Sequence, residues 1–288
     1  MQKIKESRTL SFIAVAIIYI LAALVGVFTY VLLPFGVYVN LFLADLFATV
    51  FTFVFSLIFK NASVYDPYWS VQPIVITLAF SFFAETTVYR ALLLAAVFFW
   101  GIRLTANWAY TFKGLCHQDW RYTMLCEKTA KFYPIINFIG IHFVPTLVVY
   151  FATLPAVHAL RTDSEISVLS VLFLIVSLFA ACLQGVSDIQ MHAYRKNRKT
   201  PFIRVGVWKY SRHPNYLGEI LMWWGIGLSV YSLFPSEPWL LIGAVINTVL
   251  FLSVSIPMAD GRQSKKEGFA EYKRETRMLL PLPKRSKK

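Results

Sequence analysis

Apolar runs recur along this chain from Leu10 to Pro257 with few charged residues inside them, and most are long enough to cross a lipid bilayer. A hydrocarbon core ~30 Å thick takes about 20 helical residues, and a backbone without water must satisfy its own amides, which confines such segments to helices or closed barrels. Eight stretches meet or approach that length: residues 10–33, 37–59, 70–84, 88–111, 134–158, 166–189, 214–233 and 238–257. The third is short and reads as crossing, tilted or re-entrant. The expectation is an all-α, multi-pass membrane protein, a helical bundle of seven or eight spans. Composition agrees, with 57% hydrophobic residues and a mean hydropathy of +0.58. Lys3, Lys5 and Arg8 ahead of the first run imitate a secretory signal, but the apolar runs that follow place that segment among the spans.

Charge sets an orientation. If the eight segments alternate, 25 of the 28 Lys and Arg fall on one side, leaving Arg90 and Arg161 opposite and Arg103 within the fourth span. The positive-inside rule then puts both termini in the cytoplasm. The net charge of +13 is thereby a topology signal, and nucleic-acid binding is not expected, because no soluble basic domain carries it. Residues 1–259 read as one transmembrane domain and 260–288 as a basic cytoplasmic tail, with no linker or internal repeat. The bilayer is the expected partner, in a bacterial inner membrane or the endoplasmic reticulum according to source.

Cys116 and Cys126 fall on the cytoplasmic side and Cys182 inside a span, so no disulfide framework is implied. The spacing of Cys116, His117 and Cys126 fits no recurrent zinc site, and no metal is expected. Asn61, Ala62 and Ser63 match a glycosylation acceptor by letter only, since the topology places them in the cytoplasm.

Three polar clusters border the cytoplasmic face. The first holds Tyr65, Asp66, Tyr68 and Trp69; an aromatic belt with a helix cap is the plain reading, and an acid or hydrogen-bond donor facing a substrate is the functional one. In the second, Arg103 lies inside a span, where a guanidinium needs a partner, and Asp45 or Glu219 is expected to supply it. The third runs from Gln184 to Glu219. Asp188 closes the sixth span, a basic loop follows from Arg195 to Arg204, and Tyr210, Arg212 and His213 lead to Pro214, a residue suited to the first turn of a helix. Lysines beside a bilayer ordinarily meet anionic lipid heads. Asn215, Glu219 and Trp223, however, are spaced by four and share one helix face just beyond a helix N-terminus. That arrangement suits an elongated ligand with phosphates at one end and a hydrogen-bonding ring at the other.

These residues carry a resemblance. The motif from Ser211 to Glu219, Asp188 and Arg195 upstream, and Glu271, Tyr272, Lys273, Arg274, Leu280 and Pro281 downstream resemble the C-terminal domain of the steroid 5-alpha-reductase family. Residues 66–71, 100–105 and 119–122 are similar to an uncharacterised branch of it, so the likeness spans about residues 40–283, with a cofactor-binding half from about 166 to 283. The resemblance implies NADPH contacted by Asp188, Arg195, Tyr210, Arg212, His213, Asn215, Tyr216 and Glu219, with Trp223 packing beside them. It implies reduction of a carbon–carbon double bond conjugated to a carbonyl in an apolar lipid of sterol or isoprenoid type. From their place in the first two clusters, Arg103, Asp66 and Tyr68 are expected to act on the carbonyl. Trp100 stands where the steroid reductases have a Tyr ahead of Arg103, and no residue matches their early-helix Glu. The same Arg-His-Pro-x-Tyr-x-Gly pattern occurs in membrane methyltransferases that use S-adenosylmethionine, which carry adjacent glutamates where this chain reads Ala259, Asp260, Gly261. A non-catalytic lipid-binding or transport protein is the third reading.

The topology is checked by cysteine labelling. Lys199→Cys should react with an impermeant reagent only from the cytoplasm and Asp163→Cys only from the opposite side; the reverse pattern overturns the orientation.

Overall fold

The computed structural model describes residues 1–282, and helices are the only extended regular elements among them. In chain order they are α1 (Gln2–Glu6), α2 (Arg8–Leu32), α3 (Val37–Ile58), α4 (Tyr68–Ser81), α5 (Val88–Thr111), α6 (Trp120–Thr129), α7 (Tyr133–Ile136), α8 (Val144–Arg161), α9 (Val168–Lys196), α10 (Pro214–Tyr231), α11 (Ile242–Leu250), α12 (Ile256–Gln263) and α13 (Phe269–Glu275). Among the described residues six helical stretches are long and apolar enough to cross a membrane: Arg8–Leu32, Val37–Ile58, Val88–Thr111, Trp120–Arg161, Val168–Lys196 and Pro238–Gln263. The other two expected segments are helical as well. The 14 residues of α4 reach about 21 Å, short of a ~30 Å core. The 18-residue α10 carries Asn215 and Glu219 in its first turns and is not among the six.

The long helices are inverted relative to those of a water-soluble protein. In α9 the exposed positions include Leu169, Leu172, Val176, Phe179, Val186 and Ile189, whereas Ser170, Ser177, Ala181, Gln184 and Ser187 are buried. In α3 the inward face holds Asn40, Asp45, Thr49, Thr52 and Ser56. Apolar side chains outside and small or polar ones inside are what a hydrocarbon solvent selects, because close backbone approach and internal hydrogen bonds replace hydrophobic collapse.

Two prolines shape the helices locally. Pro145 and Pro257 each lack an amide hydrogen and crowd the carbonyl four residues earlier. Each follows a π-helical turn, Asn137–Phe143 and Phe251–Ser255, whose wider winding accommodates the ring without ending the helix.

The chain divides into two compact units, Met1–Ala79 with Leu104–Leu154, and Phe80–Arg103 with everything from Pro155 on. In the first, α2 packs on α3. Asn61 is buried there with its amide donating to the carbonyls of Leu115 and His117, so the glycosylation match is an internal strut. In the second, α9 and α10 lie against each other along their lengths. Buried Arg90 donates to the carbonyls of Ala159, Glu85 and Thr162 and to Asp163 Oδ1 at 2.9 Å, capping the end of α8. Residues 283–288 of the expected tail lie outside the described residues; within 260–282, Asp260 and the carbonyls of Lys273, Thr276, Arg277 and Met278 bond to Arg212 and His213 at the start of α10. Arg212 N donates to the Arg277 carbonyl and His213 N to that of Met278.

Gly218 and Gly225 set the approach of α9 to α10. A Cβ at Gly225 would lie 2.7 Å from the Phe173 carbonyl oxygen and 2.9 Å from Ser177 N, both backbone atoms that cannot yield. Gly225→Ala should therefore destabilise the protein by about 1–3 kcal/mol, the usual cost of overpacking. At Gly227 the nearest atoms stand at 3.4 Å or more, so Gly227→Ala is the matched control. Thermal unfolding in detergent reads the difference, and equal midpoints for the two variants would exclude this contact as the determinant.

Candidate functional site

Three helices place polar groups of the second unit around one buried carboxylate. Trp100 and Arg103 sit one turn apart on α5, Gln184 and Asp188 one turn apart on α9, and Glu219 and Trp223 one turn apart on α10. Glu219 Oε2 accepts from Trp100 Nε1 at 2.9 Å and from Gln184 Nε2 at 2.5 Å, and Oε1 accepts from Trp223 Nε1 at 3.0 Å. The two indoles meet edge to face with centroids 4.9 Å apart. Arg103 Nη1 donates to Asp188 Oδ2 at 2.8 Å, and Nη2 donates to Gln184 Oε1. Gln184 can face only one way, since a guanidinium only donates and a carboxylate only accepts. It joins the ion pair to Glu219 in one network.

This arrangement corrects the expected partner of Arg103. The ion pair is with Asp188, and Glu219 is reached through Gln184. Asp45 lies in the first unit and is satisfied there, accepting from Tyr68 Oη at 2.7 Å and Gln72 Nε2 at 2.8 Å. Gln184 was absent from the expected site residues, yet its four-residue spacing from Asp188 inside an apolar span was a usable signal. Trp100, which departs from the reductase pattern, has a defined task here: its indole N–H meets the carboxylate.

Arg212 and His213 have a different occupation from the one expected. Both are buried. Arg212 donates to the carbonyls of Lys273 and Thr276 and to Asp260 Oδ2 at 3.1 Å, and His213 Nε2 lies 2.9 Å from Asp260 Oδ1. These side chains clasp the 260–278 segment to the start of α10. The ring of Tyr216 stacks on His213 at 5.2 Å, nearly parallel. Asn215 is half-buried, whereas Arg195 and Tyr210 are exposed. Three guanidinium nitrogens in this unit, Arg103 Nε, Arg212 Nε and Arg277 Nε, are buried with no acceptor among the described residues.

Asp66 and Tyr68 belong to the first unit. Tyr68 donates to Asp45 and stacks on Tyr65 at 4.9 Å, and the Tyr65 hydroxyl continues through Thr146 to Thr49. Asp66 is in a separate cluster, accepting from Tyr122 Oη at 2.7 Å, with Arg121 bonded to Asp119 nearby. Burial pushes the Asp66 carboxyl up to about 6, against the opposing pull of Arg121 and of the Tyr122 hydroxyl. Cys116 Sγ lies 3.0 Å from His117 Nδ1, and among the described residues no three His, Cys, Asp or Glu side chains converge as metal ligands.

The fold and site together define a multi-pass helical membrane protein with a buried carboxylate–indole–guanidinium centre. By sequence the chain belongs to the family described as "Protein of unknown function (DUF1295)", whose model matches residues 52–276, a range that includes every residue of that centre. It is similar to an uncharacterized protein of the fission yeast Schizosaccharomyces pombe, 26% identical over 194 residues, covering 57% of this chain and 56% of that one. The chain thus spans little more than half the length of this curated relative. No solved structure matches it.

Asp66 supplies a pH test. Its folded-state carboxyl holds a proton more tightly than the unfolded one, so its contribution to stability is present at low pH and is lost as pH rises from 3.8 through about 6. Asp66→Asn should flatten the fall of the thermal midpoint across that interval. Tyr122→Phe, which removes the hydrogen bond favouring the anion, should shift the fall to higher pH; two unchanged profiles would remove Asp66 as its source.

Proposed function

We propose that this protein is a membrane oxidoreductase that uses NADPH to reduce a carbonyl-conjugated carbon–carbon double bond in an apolar lipid of sterol or isoprenoid class. The observation that carries the reading is the polar centre of the second unit, a paired guanidinium with one buried N–H lacking an acceptor, set beside a carboxylate held by three donors. The resemblance of residues 211–219, Asp188 and Arg195 to the steroid 5-alpha-reductase family supplies the cofactor and the reaction class.

The residues fit the cofactor in part. Arg195 and Tyr210 expose polar groups, and Asn215 and Tyr216 on the first turn of α10 remain partly accessible, beside a helix N-terminus that favours negative charge. Arg212 and His213 fit less well as direct phosphate ligands, because their bonds go to Asp260 and to backbone carbonyls; their part in this reading is to hold the wall on which the others stand. NADPH would supply the hydride. Of the three groups expected to act on the substrate carbonyl, Arg103 shares a unit with the cofactor residues. Its charge, fixed by Asp188 and Gln184, would favour an oxygen on which negative charge develops. Glu219 would orient a ring amide through its indole and glutamine frame.

The methyltransferase reading rests on the shared Arg-His-Pro pattern, but in this chain the single carboxylate of that region, Asp260, is engaged by Arg212 and His213.

Ligand-dependent stability separates the two readings. NADPH at 100 times its Kd should stabilise the purified protein by about 2.7 kcal/mol. Glu219→Gln, which keeps the shape and removes the charge, should weaken that stabilisation without loss of folded protein. Membranes given NADPH and a panel of enone sterols and polyprenoid carbonyls should show a two-hydrogen mass gain that Arg103→Met abolishes. Stabilisation by S-adenosylmethionine with indifference to NADPH replaces this proposal with the methyltransferase.

A further inference from the structure

The first unit holds a buried polar centre of its own, built by the π-helical turn Asn137–Phe143. Hydrogen bonds in such a turn run from residue i to i+5, so Asn137 and His142, five apart, fall on one face. That face meets α3. Asn137 Nδ2 donates to Ser56 Oγ at 3.1 Å, and the His142 ring stands edge to face on Phe53 with centroids 5.4 Å apart. The Tyr65 ring lies 4.6 Å from that of His142. Asn137 is 2% exposed and His142 is fully enclosed.

The direction of each hydrogen bond fixes what these two side chains have left to offer. His142 Nδ1 lies 3.0 Å from the Asn137 carbonyl oxygen, which can only accept, so Nδ1 carries the hydrogen and Nε2 of the neutral ring presents a lone pair. Ser56 spends its hydroxyl hydrogen on the Phe53 carbonyl at 2.8 Å and therefore accepts from Asn137, which sets the amide with Nδ2 toward Ser56. Asn137 Oδ1 and His142 Nε2 are buried, and neither has a donor among the described residues. The nearby hydroxyls are committed to one another: Tyr65 Oη bonds to Thr146 Oγ1 at 2.7 Å and Thr146 to Thr49 Oγ1 at 2.8 Å. Two oriented acceptors on one helix face suit a group that brings two hydrogens.

The surroundings select that group. Asn137 and His142 lie in the stretch Trp120–Arg161, and Phe53 and Ser56 in Val37–Ile58, both long and apolar enough to cross a membrane. Ile139 on the same turn is exposed, and a Cβ at Gly140 would meet nothing nearer than Ile136 Cγ2 at 3.9 Å, so this turn offers hydrocarbon a smooth outer side. A charged ammonium is costly at such a depth, and a ketone or ester brings no hydrogen; hydroxyls are uncharged and donate. We propose that Asn137 Oδ1 and His142 Nε2 bind the two-hydroxyl head group of an uncharged membrane lipid, each acceptor taking one hydroxyl hydrogen. The site belongs to the first unit, and the proposal does not rest on the reductase reading of the second.

A probe series of constant chain tests it: 1-O-hexadecylglycerol with two hydroxyls, its 2-O-methyl ether with one, and its 2,3-di-O-methyl ether with none. Retention is read by native mass spectrometry of the full-length protein in phosphatidylcholine nanodiscs, whose lipid head has no hydrogen to donate. Each hydroxyl removed should weaken binding about fivefold, giving about 25-fold between the ends of the series. His142→Phe and Asn137→Leu should each leave about fivefold, whereas Thr146→Val, which breaks the neighbouring hydroxyl chain and spares both acceptors, should keep the full range. Should the site variants fail to fold, the three probes on the natural protein decide alone. Equal retention of all three, or an unaltered range in the His142 and Asn137 variants, overturns the proposal. Displacement of hexadecylglycerol by an equal concentration of free glycerol assigns the acceptors to a soluble polyol and defeats the lipid site.

Discussion

A bilayer interior offers no hydrogen bonds, and the organisation of this protein depends on that constraint. Each polar side chain carried into an apolar helix has to be met by another part of the chain. The consequence is visible in α3 and α9, whose inward faces are lined with Asn, Asp, Gln, Ser and Thr while their outward faces are almost wholly aliphatic or aromatic. Ser177 Oγ bonding to the Met222 carbonyl and Ser229 Oγ to that of Ser170 show the same economy at the α9–α10 contact, where Gly218 and Gly225 bring the backbones close enough for such bonds to form.

Within that setting Glu219 is the most demanding group. A carboxylate in a span is costly unless donors surround it, and here the donors are two indoles and an amide. Indole is well suited, because its large apolar body is at home among lipid-facing helices while its single N–H is spent on the anion. Gln184 then passes the influence of Glu219 to Arg103 and Asp188, so that two carboxylates and one guanidinium form a network whose members cannot reorient singly. Such a centre is both a structural tie and a preorganised electrostatic environment, and those properties are what catalysis on a polarised carbonyl would require.

The Asp260 clasp complements it. A buried arginine and histidine share one aspartate, and the backbone amides of Arg212 and His213 donate to the carbonyls of Arg277 and Met278. The segment that sequence alone renders as a basic tail is thereby made part of the wall beside the α10 N-terminus. The aromatic joint of Phe202, Phe269 and Tyr272 continues that wall.

The helical class and membrane character were legible in the sequence, because hydropathy over about 20 residues is a local property set by the solvent and needs no knowledge of partners. The four-residue spacing of Asn215, Glu219 and Trp223 was legible for the same reason, since helix periodicity alone puts them on one face. Which group answers which was not. Asp45 and Glu219 were the candidates for Arg103 by sequence, and only the approach of α5 to α9 brought Asp188 to it, leaving Glu219 to be reached through Gln184. Likewise the letters Arg-His-Pro announced a helix start with cations ready for an anion, while the fold supplied the anion internally as Asp260, 47 residues after His213. Hydrogen bonds between distant segments are set by tertiary approach, and a linear pattern records what each residue can donate or accept without recording to whom.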